Sequence, residues 1–158
     1  MVAIPTKVEK LIKKEKVLVV GSASKNGISN VSPRTTFYLS KDGSIYWLEL
    51  FKHKSYRNLV QNPWCSVVVF DKKAFQGYQI KGKATTVTNK KLKDEITIKI
   101  MDQLKTLHKK QIVKRSKSPN LIKFLPKIVY SLNPNELTDS PLALDSTDES
   151  LSTADMQW

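Results

Sequence analysis

The chain has 158 residues, 40% of them hydrophobic and 26% charged, a composition that fits one globular domain and excludes fibrous and low-complexity classes. No apolar run reaches the roughly 18 residues of a membrane-spanning helix, and the N-terminus alternates Lys with apolar residues instead of building a signal-peptide core. Lys and Arg number 27 against 14 Asp and Glu, a net charge of +13, and the single cysteine, Cys65, leaves no internal disulfide or cysteine metal cluster.

Pro5-Thr6 opens a short helical pattern ending near Glu15, with Thr6 and Glu9 spaced as a capping box and Val8, Leu11 and Ile12 on one face. Val17 to Ser24 reads as a buried strand, and Lys25-Asn26-Gly27 as the turn after it. Ile28 to Leu39 is a second predicted strand, with a bulge or sheet edge expected at Pro33 because proline cannot donate to a ladder. Lys41-Asp42-Gly43 is another hairpin turn, and Ser44 to Phe51 a third strand. Ser55 to Gln61 is helical in pattern and stops at Asn62-Pro63, since the residue before proline disfavours the α region. Trp64 to Phe70 and Tyr78 to Val87 follow as strands four and five. Asn89 then caps a long amphipathic helix to about His108, whose apolar positions suggest packing against a barrel. Lys109 to Asn120 is expected as a basic loop, and Leu121 to Leu132 as a sixth strand with an interruption at Pro126. The fold class is therefore mainly β, five or six antiparallel strands with one long and two short helices, closed as a small barrel or left as a sheet packed by the long helix.

The charge is uneven. Residues 136–158 hold six acids and no Lys or Arg, whereas 1–135 hold 27 bases and 8 acids, a net +19. Two units follow, a basic domain over 1–135 and an acidic, flexible tail over 136–158 that ends in Trp158. A basic body attracts polyanions or anionic cofactors, or simply carries a lysine-rich solvated surface. Lys supplies 24 of the 27 bases, and bidentate readout favours Arg, so nucleic acid is an unlikely partner.

Most catalytic classes lack their residues. The two histidines, His53 and His108, have no metal-ligand spacing with another His, Cys or carboxylate. The five glycines form no phosphate loop, and no nucleophile elbow is present. Glu49 is the one acid inside a predicted strand core. Cys65, beside Trp64 on a predicted strand, reads as a small buried hydrophobe.

The segment from Trp47 to Pro63 is the most informative. A strand ends, a short basic connection follows, and a helix begins near Ser55. Helix N-termini present free N–H groups and the positive end of the dipole, which suits phosphate. Lys54 would add a cation, Ser55 a hydroxyl and His53 a donor, with Arg57 on the first turn. Alternatively, Ser55 caps the helix and Lys52, Lys54 and Arg57 are surface charges.

Lys54-Ser55 with Asn58-Leu59 and Asn62-Pro63, then Ser66-Val-Val-Val69, Gly77 to Ala84 and Ile128-Val-Tyr-Ser-Leu132, follow the meander in a fixed order. With Ile4-Pro5 and Asn30-Val-Ser-Pro33, this ordered set resembles the pyridoxamine 5′-phosphate oxidase-like FMN-binding split barrels over about residues 4–132. The resemblance implies a six-stranded antiparallel split barrel forming a homodimer with FMN at the subunit interface; the absent span, signal core and disulfide suggest the cytoplasm. It implies that Lys54 and Ser55, with His53, hold the FMN phosphate. Ser32, Pro33, Arg34, Thr35 and Thr36 would run along the flavin ring and ribityl chain. The backbone of Trp47, Leu48 and Glu49 would pack on the ring, and Gln79 would approach from the fifth strand. The late Arg-x-His substrate motif is missing, since no His follows His108 and no Arg follows Arg115, which argues against vitamin B6 oxidation.

The expected function is a flavin-dependent oxidoreductase that exchanges electrons with a small-molecule or nicotinamide partner. A deazaflavin cofactor is the alternative, its polyanionic tail suiting Lys109, Lys110, Lys114, Arg115 and Lys117. A flavin-storing or electron-carrying protein without a substrate of its own is a third reading.

Overall fold

The computed structural model describes the chain except Lys52, 105–106, Lys117, 137–139 and 153–158, together with the side chains of 107–109 and 112. Expectations resting on Lys52, Lys117, Trp158 and the side chains of His108 and Lys109 thus lie outside the described residues. Among the described residues eight strands form one antiparallel sheet: β1 (Leu18–Ala23), β2 (Ser29–Arg34), β3 (Phe37–Leu39), β4 (Ile45–Glu49), β5 (Trp64–Asp71), β6 (Gln76–Thr86), β7 (Asn120–Ser131) and β8 (Ala143–Leu144). The helices are α1 (Thr6–Glu15), α2 (Lys54–Gln61), α3 (Lys90–Gln103) and α4 (Leu107–Arg115). The fold is mainly β, a curled half-barrel of the split-barrel type.

Strand order is β2-β1-β5-β6-β7-β4-β3, with β8 on β7. β2 and β3 sit at opposite ends of that path, yet only Thr35 and Thr36 separate them in sequence. The sheet must therefore curl until its two edges meet, and Thr35-Thr36 bridges the split. This corrects the expectation of one strand from Ile28 to Leu39. Pro33 lies on the edge strand β2, opposite Val19 of β1, where its missing N–H costs no ladder bond. The Asn-Gly and Asp-Gly turns form as expected, with Gly27 and Gly43 at φ +80° and +85°, a region open to glycine.

β4 is buried along its whole length because both its faces are covered. Ile45 and Trp47 join the barrel core with Val20, Val67, Ile80 and Phe124. Tyr46 and Leu48 face a second core made with Ile96, Ile100, Leu104, Val113 and Leu121. That second core is where α3 and α4 pack. The predicted long helix thus stops at Gln103, and most of the predicted basic loop is the helix α4. Val113 explains the difference, since its burial in the second core gives this lysine-rich segment a packing face.

β7 runs unbroken through Pro126. The register shifts at Lys81/Gly82 opposite it, and this bulge absorbs the proline. Gly82 is required there, because a Cβ would lie 2.3 Å from the Leu125 carbonyl oxygen. At α1, Pro5 holds the cap position and no side-chain cap bond forms, so the Thr6–Glu9 capping box is not used. Within the acidic segment, residues 143–144 pair with β7, and the Asp145 and Asp148 carboxylates meet Lys127 and Lys83.

Candidate functional site

The split in the barrel opens a cleft of about 490 Å³ between β2, the Thr35-Thr36 crossover, the end of β4 and the start of α2. That volume lies within the ~300–1,000 Å³ range of small-ligand sites. On β2 the alternation of side chains points Asn30, Ser32 and Arg34 toward α2 and β4. A polar chain runs across the floor. Trp47 Nε1 donates to Glu49 Oε1 at 3.0 Å, and Arg34 donates to the same oxygen through Nε at 3.1 Å and Nη2 at 2.5 Å. Arg34 Nη1 donates to Ser32 Oγ at 2.8 Å, Ser32 Oγ lies 2.9 Å from Ser55 Oγ, and Asn30 Nδ2 donates to Ser55 Oγ at 2.8 Å. The Arg34 and Glu49 side chains are 11% and 7% exposed, so the pair is largely taken from water and each ion needs the other.

α2 begins one residue earlier than expected, at Lys54, with His53 as its cap residue in extended conformation. No side chain caps it. Ser55 therefore does not cap the helix; it sits in the first turn, buried, with its hydroxyl on the β2 network. Asn58 pins the next turn, its Nδ2 donating to Ser22 Oγ of β1 at 3.2 Å. The first intrahelical bond is made by the Arg57 N–H to the His53 carbonyl at 3.2 Å. The amides of Lys54, Ser55 and Tyr56 precede it and have no helical acceptor. Among the described residues no acid pairs with Lys54, His53 or Arg57. A positive helix end with uncommitted N–H groups, two hydroxyls and free cations is a donor set that fits a phosphate.

Leu48, Leu50 and Phe51 also line the cleft. Phe51 is 56% exposed, and its ring centroid is 5.5 Å from that of His53. The backbone of the crossover is tied to β4 by the Leu48 N–H bond to the Thr36 carbonyl at 3.0 Å. Leu50, beside Phe51, accepts from Ser116 Oγ at 2.7 Å, which anchors the end of α4 beside the mouth. A planar ring system could lie along this wall with its phosphate toward α2.

Ser32, Pro33, Arg34, Thr35, Thr36, Leu48, Glu49, His53, Lys54 and Ser55 all line the cleft. Two of the expected site residues do not. Trp47 is fully buried, its ring centroid 6.0 Å from that of Phe124, and it reaches the site only through Glu49. Gln79 is on β6, with Nε2 3.5 Å from Ser66 Oγ. Asn30, Leu50 and Phe51 line the cleft and were not expected to. Asn30 could have been found from its i, i+2 spacing with Ser32, whereas Phe51 depends on how the β4–α2 connection turns. Cys65 is buried, and burial pushes its thiol up to about 12, so it is no thiolate at neutral pH. Among the described residues no three His, Cys, Asp or Glu side chains cluster as metal ligands, and no helix is long and apolar enough to cross a membrane.

The pyridoxamine 5′-phosphate oxidase family model matches residues 4–133, nearly the whole barrel. The chain belongs to the pyridoxamine 5′-phosphate oxidase family. No curated protein sequence matches it. Solved structures share this family fold at low identity. HupZ of Group A Streptococcus is 15% identical at a TM-score of 0.67, covering 83% of this chain and 95% of its own. The protein related to general stress protein 26 from Clostridium acetobutylicum is 13% identical at a TM-score of 0.67, covering 89% and 92%. HutZ of Vibrio cholerae, named as a haem storage protein, is 16% identical at 0.61, covering 81% and 94%. At these identities the likeness extends to the fold alone.

Proposed function

We propose that the split-barrel cleft binds FMN and that the protein is a flavin-dependent oxidoreductase acting on a small-molecule or nicotinamide partner. One observation carries this reading: the start of α2 offers unbonded amides, Ser55 and Ser32 hydroxyls and unpaired Lys54 at one end of a cleft of about 490 Å³. Lys54, Ser55 and His53 would hold the phosphate. Arg34, fixed by Glu49, would place a positive charge beside the ring, and the Thr35-Thr36 backbone would border it. The flavin supplies the redox chemistry, taking up and releasing electrons. The protein's residues bind it, orient it and keep one edge of the ring within reach of a donor. A deazaflavin would use the same phosphate end.

A homodimer is part of the proposal. Val19 of β1, Val31 of β2 and Phe70 of β5 are 37%, 66% and 46% exposed on one outer face of the sheet, and the register places them on neighbouring strands. Gln79 of β6 shares that face through its pairing with Val68. A second copy seated there would bring Gln79 toward its partner's cleft. We also place the protein in the cytoplasm, where its single thiol stays reduced.

Haem is a second reading, favoured by His53 at the cleft rim and by the named role of HutZ. The purified protein, titrated separately with FMN and with hemin and followed by visible absorption, separates the two. Flavin bands that shift and saturate near one FMN per chain support the proposal. A saturating haem band without any flavin binding overturns it.

A further inference from the structure

The acidic tail is bound to the barrel by a set of contacts that the flavin cleft does not use. β4 covers β7 from Asn120 to Phe124, and beyond that point its edge is taken by β8, opposite Ile128 and Val129. The Leu142 N–H donates to the Val129 carbonyl at 2.7 Å and the Asp145 N–H to the Lys127 carbonyl at 2.8 Å. This backbone pairing is short, and ions do the rest. Lys127, the extra residue at the bulge, donates to Asp145 at 2.7 Å and to Asp148 at 2.9 Å. Asp148 also takes Lys83 at 3.1 Å, and the Lys83 ammonium lies 5.1 Å from the Trp64 ring centroid. Asp145 further accepts from Thr147 Oγ1 at 2.7 Å and from the Met1 amine. Beyond the latch, Ser150 and Leu151 form one wall of a second groove of about 440 Å³, whose other walls are β1, β2, β5 and Lys81.

We propose that residues 140–151 form an ion-latched strap, releasable as a unit from a folded barrel, that walls this groove and covers the open edge of β7. The asymmetry of the contacts carries the inference. A two-residue strand is too short to hold by its own ladder, and the apolar residues it buries, Leu142 and Ala143, are only partly covered. Two carboxylates across Lys83 and Lys127 therefore set whether it stays down. Release would bare the backbone carbonyls of Lys127 and Val129, an edge able to pair with another strand, and would remove Leu151 from the groove wall.

Hydrogen exchange on the full chain tests this, comparing wild type with D145N/D148N. The amides of Leu142 and Asp145 are expected to exchange at least about tenfold faster in the variant, given the worth of charged hydrogen bonds. The amides of Val67 and Ile80, deep in the core, should be unchanged. Unchanged protection of Leu142 and Asp145 would overturn the ionic latch. Core amides rising in step with the strap would overturn its independence. Should the variant not fold, wild type in about 1 M NaCl, where the Debye length is ~3 Å, must show the same selective rise; its absence overturns the proposal.

Discussion

Two regions use the same lysine-rich chain in opposite ways. At the tail, Lys83 and Lys127 are neutralised by Asp145 and Asp148 of the same molecule. At the start of α2, Lys54, His53 and Arg57 have no acidic partner among the described residues, and the helix leaves its own first amides unbonded. Net charge alone does not distinguish these regions. What distinguishes a binding end from a structural one is whether the fold brings an internal anion to the cations. Arg34 stands between the two cases, since Glu49 satisfies one side of its guanidinium while Nη1 stays on the cleft floor.

The largest effect should come from that intermediate case. Glu49→Ala leaves Arg34 largely buried without its counter-ion, and should cost about 3–5 kcal/mol of stability, read as a drop in the urea midpoint. A variant as stable as wild type would mean that water reaches Arg34 freely. Lys54→Ala should instead leave stability unchanged and weaken FMN binding by about ten- to a hundredfold, read by flavin fluorescence. An unchanged affinity would remove Lys54 from the phosphate end.

The strap gives a pH signature. Hydrogen bonds from Lys127 to Asp145, and from Ser150 and Lys127 to Asp148, hold both carboxyls well below their ordinary 3.8. A lowered folded-state pKa contributes stability that is present above the unfolded value and lost as pH falls through the folded one. The wild-type melting temperature should therefore fall below about pH 4, and D145N/D148N should show a shallower fall. Parallel profiles would deny the carboxylates that role. The smallest effect is expected from Gln79→Ala. A modest loss of FMN affinity that disappears on dilution to monomer would place Gln79 in a partner's cleft, and no loss at any concentration would exclude it.

Much of the barrel was legible because the turn chemistry and hydrophobic patterning agree. Asn26-Gly27 and Asp42-Gly43 specify hairpin turns, and Asn62-Pro63 ends α2 at the expected residue. The readings that failed depend on contacts distant in sequence. Thr35 and Thr36 are ordinary strand formers, and only closure of the sheet turns them into a crossover. Ile112-Val113 looks like a brief apolar break in a basic run until the second core receives Val113. Asp145 and Asp148 read as solvated tail charges because Lys83 and Lys127 lie far away in the chain. For the site, the start of α2 was legible from residue type and spacing, whereas Ser32 to Thr36 were reached only through the family resemblance. The Trp47 and Phe51 positions followed from the path of the backbone around β4.

The central claim is that the start of α2 is a phosphate-binding end, and paired titrations with FMN and riboflavin test it most directly. The two ligands differ only in the phosphate, so quenching of flavin fluorescence should show FMN binding at least about tenfold tighter. Equal affinities would contradict the account, because a flavin held without its phosphate leaves Lys54, Ser55 and the α2 amides no part in binding it.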